Sequence, residues 1–320
     1  MSAPLHVVVG ASGATGRVVV RELSRAGRRV RAVSRSASPG HGTEIEFVAA
    51  DARQPESLHR ALAGASVVYH CAMPPFARWM SDFPTITRSI VEQAGLVGAR
   101  LVFADDTWMY GRVAGPISER TPENPVSNKG VLRAWLAEML LAAHHRGTAD
   151  VVIGRAPELY GPGTNSLLGA NLLGAAAKRG VAIYIGNPDL PLTPLFIDDF
   201  ARGLITLAEA EDASGRVWMI PTPPPTTGRD LVRMAFEHVG SRPRMLQIGT
   251  RIGRALGAVS PLAREGAEMV YQFEQPFTID ASDFSTAFGS APTPYRDGVA
   301  RTIDWYRAQR AQRHSRTLVR

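Results

Sequence analysis

The stretch that decides the fold is Val7-Val8-Val9-Gly10-Ala11-Ser12-Gly13-Ala14-Thr15-Gly16-Arg17. Its β-branched start reads as a buried strand. Three glycines at a spacing of three follow, and the amphipathic run 14–25 then reads as a helix. Strand, glycine turn and helix in that order make a dinucleotide-binding turn. The first glycine permits the tight bend, the second lets backbone approach a pyrophosphate, and the third lets helix and strand pack closely. The helix N-terminus offers unpaired N–H groups and a favourable dipole to phosphate. A glycine turn that only packs would share the spacing but has no need of this context. The expected contacts are Gly10, Ser12, Gly13, Ala14, Thr15, Gly16 and Arg17.

Outward from the turn, apolar runs at 29–34, 45–49, 66–70, 100–104 and 150–154 alternate with helical patterns, notably 85–97 and 129–145. Strands separated by helices build βαβ units and a parallel sheet. The fold class is therefore α/β, a Rossmann-type doubly wound parallel sheet with a smaller C-terminal substrate lobe. Residues 1–160 read as the dinucleotide-binding domain, with 195–220 returning to it. Residues 161–320 read mainly as the substrate lobe. Helical patches there fall at 166–179, 198–210, 227–239, 261–272 and 294–311.

Composition narrows the function. The 320 residues are enough for an ordinary core, so no covalent staple is needed. The lone Cys71 excludes a disulfide framework and a multi-cysteine zinc site within the chain. No apolar run of about 18 residues is present, so no membrane span and no membrane partner is expected. The first strand-like run starts at Leu5, which leaves no room for a signal peptide and points to the cytoplasm. The net charge of +7 is scattered except for Arg307, Arg310, Arg313, Arg316 and Arg320 near the end. That tail reads as a solvated helix, so no nucleic-acid partner is expected. The remaining partner is a small-molecule substrate.

The second strand ends Val33-Ser34-Arg35-Ser36, with no acid to meet a ribose 2′-hydroxyl. Arg35 stands where a 2′-phosphate would lie, and Arg17 could close over it. NADP(H) is therefore favoured over NAD(H).

The Gly-x-x-Gly-x-x-Gly spacing resembles the short-chain dehydrogenase/reductase superfamily, in particular its extended and atypical branches. Further stretches resemble the NAD-dependent epimerase/dehydratase proteins in order: Ala50-Asp51, His70-Cys71-Ala72, Ala104–Gly111, Arg155–Gly163, Leu195–Asp199 and Thr293–Tyr306. The resemblance implies an adenine-side acid at Asp51 next to Ala52, and pyrophosphate or ribose contacts at Cys71 and Ala72. It also implies a homodimer packed through helices.

Catalysis departs from that pattern. The family places Ser or Thr at the fifth-strand end and a Tyr-x-x-x-Lys pair on the next helix, where Lys lowers the Tyr pKa for proton transfer. This chain has two lysines, Lys129 and Lys178, and no Tyr has a Lys four residues on. Asp106 falls at the Ser position, Gly130 at the Tyr position and Ala134 at the Lys position. The residues left near the pocket are Asp105, Asp106, Thr107, Tyr110, Lys129 and Arg133. Asp106 is a candidate general acid or base, Tyr110 an alternative proton donor, and Lys129 a donor to a developing oxyanion. Each has an ordinary reading too: a turn cap, a packed ring, a solvated helix start. Phe76, Trp79, Met80, Trp108 and Trp135 could line an apolar cleft, or be core. The expected function is an NADP(H)-dependent oxidoreductase acting on a small carbonyl or enone through a non-standard proton relay. The alternatives are a non-redox cyclase, dehydratase or isomerase on the same fold, and a nucleotide-sensing binding protein.

Overall fold

The computed structural model describes residues 3–36, 45–249 and 268–318, the last six without their side chains. The first half runs β1 (Leu5–Val9), α1 (Ala14–Arg25), β2 (Arg29–Ser34), β3 (Ile45–Ala49), α2 (Pro55–Leu62), β4 (Val67–His70), α3 (Trp79–Leu96), β5 (Arg100–Asp106), α4 (Asn128–His145) and β6 (Asp150–Ala156). The second half runs β7 (Leu159–Tyr160), α5 (Gly174–Ala177), β8 (Ala182–Ile185), β9 (Pro191–Leu192), β10 (Leu195–Phe196), α6 (Ile197–Glu209), β11 (Val217–Met219), β12 (Thr226–Thr227), α7 (Gly228–His238), β13 (Met245–Ile248), α8 (Ser282–Phe288) and α9 (Tyr295–Leu318).

Seven strands form one parallel sheet in the order β11-β6-β5-β4-β1-β2-β3. The chain leaves β1 in one direction through β2 and β3, then returns to the other side of β1 at β4. That reversal opens a crevice at the carboxyl ends of β1 and β4. Continuous Val-rich strands bury both faces. One face packs α2, α3 and α4 through Leu58, Phe83, Ile90, Leu136 and Leu140. The other packs α1 and α6 through Val19, Leu23, Phe200 and Leu204. Residues 197–219 thus supply a covering helix and the edge strand of the main sheet. A separate core, with Leu172, Tyr184, Phe236, Val299 and Ile303, lies among the later elements.

The structure shifts several element boundaries. The helix expected at 85–97 begins at Trp79 and runs through Pro84. Its first turn is held by the buried rings of Trp79 and Phe83, so tertiary packing overrides the local cost of proline. The patch at 166–179 is a π-helical turn at Gly169–Leu173 followed by one α-turn, Gly174–Ala177. Gly169 and Gly174 lie against the Tyr306 ring. The fifth strand does not stop at Ala104: it pairs on through Asp105 opposite Arg155 and Asp106 opposite Ala156. The helix expected at 261–272 falls mostly outside the described residues.

Candidate functional site

A cleft of about 480 Å³ opens at the carboxyl ends of the strands, over the β1–β4 crevice. Gly10 turns the chain with φ +88°, and a Cβ there would stand 2.5 Å from the Ala72 backbone. A Cβ on Gly16 would strike the Gly10 carbonyl. Only glycine allows these approaches. Gly13 caps α1 without a side-chain hydrogen bond, which leaves first-turn N–H groups for an anion. The turn therefore fits a pyrophosphate.

Of the sequence-predicted dinucleotide contacts, Gly10, Ser12, Gly13, Ala14, Thr15, Arg35, Asp51, Ala52, Cys71 and Ala72 all line this cleft. Gly16 sits beneath the turn, and Arg17 lies outside the lining, its guanidinium near Gly163. Asp51 is bound by Arg53 at 3.0 Å. That hydrogen bond, aided by the Arg35 charge, lowers its pKa to about 2. Arg53 itself lines the cleft beside Arg35 and was missed in the sequence. Burial pushes the Cys71 thiol up to about 12, so it is neutral and not a nucleophile at physiological pH.

The centre of the cleft is a charge cluster at the end of β5. Strand alternation turns adjacent carboxylates apart, and Arg133 of α4 spans both. Its Nε lies 2.8 Å from Asp106 and its Nη1 3.3 Å from Asp105. The guanidinium also lies against the rings of Trp79, Phe83 and Phe103. Its Nη2 edge is directed at Met73 Sδ, 3.9 Å away, on the cleft wall. Asp105 additionally accepts from Arg155 Nε at 2.9 Å. Burial raises Asp106 to about 6, against the opposing pull of Arg133.

Asp106 and Arg133 line the cleft; Thr107, Tyr110 and Lys129 do not. Arg155 donates to the Tyr110 hydroxyl at 2.6 Å. Thr107 is buried behind the strand. Lys129 is 4 % exposed, with its ammonium 5.8 Å from the Phe76 ring and 3.6 Å from Glu268. Gly130 is closed in: a Cβ there would lie 2.6 Å from the Trp108 carbonyl. Phe76, Trp79 and Trp108 form an aromatic wall of the cleft, with ring centroids 5.0–6.2 Å apart and Trp79 stacked on Trp108. Met80 and Trp135 lie outside it.

Sequence reasoning also missed Glu158, at the carboxyl end of β6. Its Oε1 accepts from Ser166 Oγ at 2.8 Å and from Leu167 N–H at 3.1 Å. Burial raises its pKa. The cleft carboxylates Asp51, Asp82, Asp105 and Asp106 each meet an arginine, whereas Glu158 is held by neutral groups. Nothing local marks it; it sits in a Pro-Glu-Leu-Tyr stretch that reads as a turn.

The chain is 25% identical over 332 residues to a ceramide reductase of Caulobacter vibrioides, with 94% of each chain covered. It superposes on MoeE5, solved with UDP-glucuronic acid and NAD, at 26% identity and a TM-score of 0.77, covering 96% of this chain and 99% of that one. The fold is also that of UDP-glucuronic acid 4-epimerase from Bacillus cereus, at 19% identity and a TM-score of 0.78, covering 95% and 99%. The family model for the NAD dependent epimerase/dehydratase family matches residues 6–220. With its glycine turn, crevice and strand order on that pattern, the chain belongs to the NAD dependent epimerase/dehydratase family.

Proposed function

We propose that the chain is a nicotinamide-dependent oxidoreductase acting on a carbonyl or enone with an apolar flank, with NADP(H) favoured over NAD(H). The observation that carries this is one cleft holding both the glycine turn and the Asp106–Arg133 pair. The bound nicotinamide would supply hydride chemistry. The residues of the chain bind, orient and manage charge. Gly10 to Thr15 present backbone N–H groups to the pyrophosphate. Arg35 and Arg53 line the cleft just past the carboxyl ends of β2 and β3, where their charge would hold a 2′-phosphate. MoeE5 was solved with NAD, and NAD is the competing reading.

The Arg133 guanidinium is a planar set of N–H donors with no acceptor. It can therefore stabilise negative charge on a substrate oxygen through the Nη2 edge, but it does not donate the proton. Asp105 and Asp106 fix the guanidinium, so its orientation costs nothing at the moment of reaction. Asp106 exchanges the proton, with Glu158 as the second carboxyl within the cleft. Tyr110, Thr107 and Lys129 act as positioning residues in this scheme. The aromatic wall excludes water and receives the apolar flank.

The test is transfer of deuterium from 4-deuterated NADPH to aromatic and long-chain ketones, the latter chosen because a relative is a ceramide reductase. Label on the product carbon supports the proposal. Product without label would favour the non-redox reading, and nucleotide binding without any product the sensor reading. Arg35→Asp should weaken NADPH far more than NADH. Equal losses would remove the NADP assignment.

A further inference from the structure

Away from the cleft, β8 and β13 pair in parallel, with Leu246 opposite Ile183 and Ile248 opposite Ile185. Ala182, Tyr184 and Met245 point into the C-terminal core. Alternation then places Val181, Ile183, Ile185, Leu246 and Ile248 together on the other face. The end of that face nearer the strand starts is open: Val181 is 52 % exposed, Ile183 36 % and Leu246 54 %, while Ile185 and Ile248 are half-buried. Contiguous exposed aliphatic residues on a sheet mark an interaction surface more often than chance does.

The charge around it has one sign. Lys178 and Arg179 lie just before β8, Arg242 and Arg244 just before β13, and all four are exposed. Because the strands are parallel, both basic pairs fall at the same end of the panel. The Arg244 carbonyl accepts from Ala182 N–H at 2.8 Å, which fixes that adjacency. None of the four cations joins an ion pair among the described residues, although neighbouring Arg233 and Arg296 do.

We propose that the β8–β13 face docks on an anionic lipid bilayer, with the aliphatic panel entering the interface and the basic cluster meeting lipid phosphates. An apolar face bordered by cations is the chemistry of peripheral membrane contact. A second copy on the same face would bring four more cations against these four. The expectation of no membrane partner rested on spanning segments, and no described helix is long and apolar enough to cross a bilayer. Lateral docking needs none.

The experiment is co-sedimentation of the full chain with phosphatidylcholine vesicles, with and without phosphatidylglycerol. Binding is expected only with phosphatidylglycerol. Ile183→Asp with Leu246→Asp should lower partitioning about tenfold or more. Arg242→Gln with Arg244→Gln should lower it roughly fivefold per arginine. Both variants should keep the wild-type melting temperature and nucleotide affinity. Absence of binding to phosphatidylglycerol vesicles overturns the proposal. So does binding that survives the aspartate pair, which would be adsorption by net charge alone. So does loss of a solution dimer in the aspartate pair without a change in vesicle binding, which would assign the face to a second copy.

Discussion

Arg133 shows how far one side chain can be constrained. Two carboxylates pair with it and three rings pack against it. Arg133→Ala would leave Asp105 and Asp106 buried without their shared cation. Removing one partner of a buried pair costs about 3–5 kcal/mol, read as a lower urea midpoint at unchanged slope. Arg133→Lys should retain the charge but lose the two-carboxylate grip, and activity should fall more than stability. Asp106 carries a pH signature. Its folded pKa is raised from 3.8 to about 6, so its contribution is fully present below 3.8 and lost as pH rises through about 6. Asp106→Asn should flatten urea stability across that window. An unchanged profile would show that Asp106 is ionised throughout, as a holder of Arg133 and not a proton carrier. Asp51 runs the other way. Its pKa is lowered to about 2, so its contribution is present above 3.8 and lost as pH falls through about 2.

At the scale of elements, the glycine turn and α4 answer different questions. Gly10→Ala places a methyl group into the Ala72 backbone at a positive φ. It should abolish nucleotide binding, measured by NADPH fluorescence, and lower the melting temperature. On α4, the family's Tyr and Lys positions are Gly130 and Ala134. Restoring the pair by Gly130→Tyr with Ala134→Lys should not raise turnover, because a Cβ at 130 already meets the Trp108 carbonyl. The double variant should melt lower than wild type. A gain in turnover would show that the helix can shift to admit the relay. Periodicity located the early elements well: β2, β3 and α1 match the sequence reading residue for residue. It failed at α3, where Pro84 reads as a stop but buried Trp79 and Phe83 carry the helix past it.

At the scale of the molecule, the first 160 residues do not contain their own complete core. Val19 and Leu23 of α1 share a cluster with Phe200, Leu204 and Trp218. A fragment of residues 1–160 should therefore lack protected amides in α1 and β6, measured by hydrogen exchange, while a chain carrying through 220 should regain them. Equal protection in both fragments would mean that α6 and β11 only decorate a finished domain.

The sequence by itself determined the strand–turn–helix at 7–17, the parallel sheet and the glycine-turn side of the cleft, because glycine spacing and apolar periodicity are local and act over a few residues. It also determined, by enumeration of two lysines and seven tyrosines, that no Tyr-x-x-x-Lys pair is available. Only the tertiary structure decided which polar residues meet there. The extra two residues of β5 swing Asp105 and Asp106 to different partners. Helix α4 then brings Arg133 to both, and the end of β6 brings Glu158 to the same cleft. Tyr110, Thr107 and Lys129 look equally available in sequence, yet they are turned into the interior. Burial and pairing at a site are set by where distant strands end and which helix crosses them, and no local pattern encodes that.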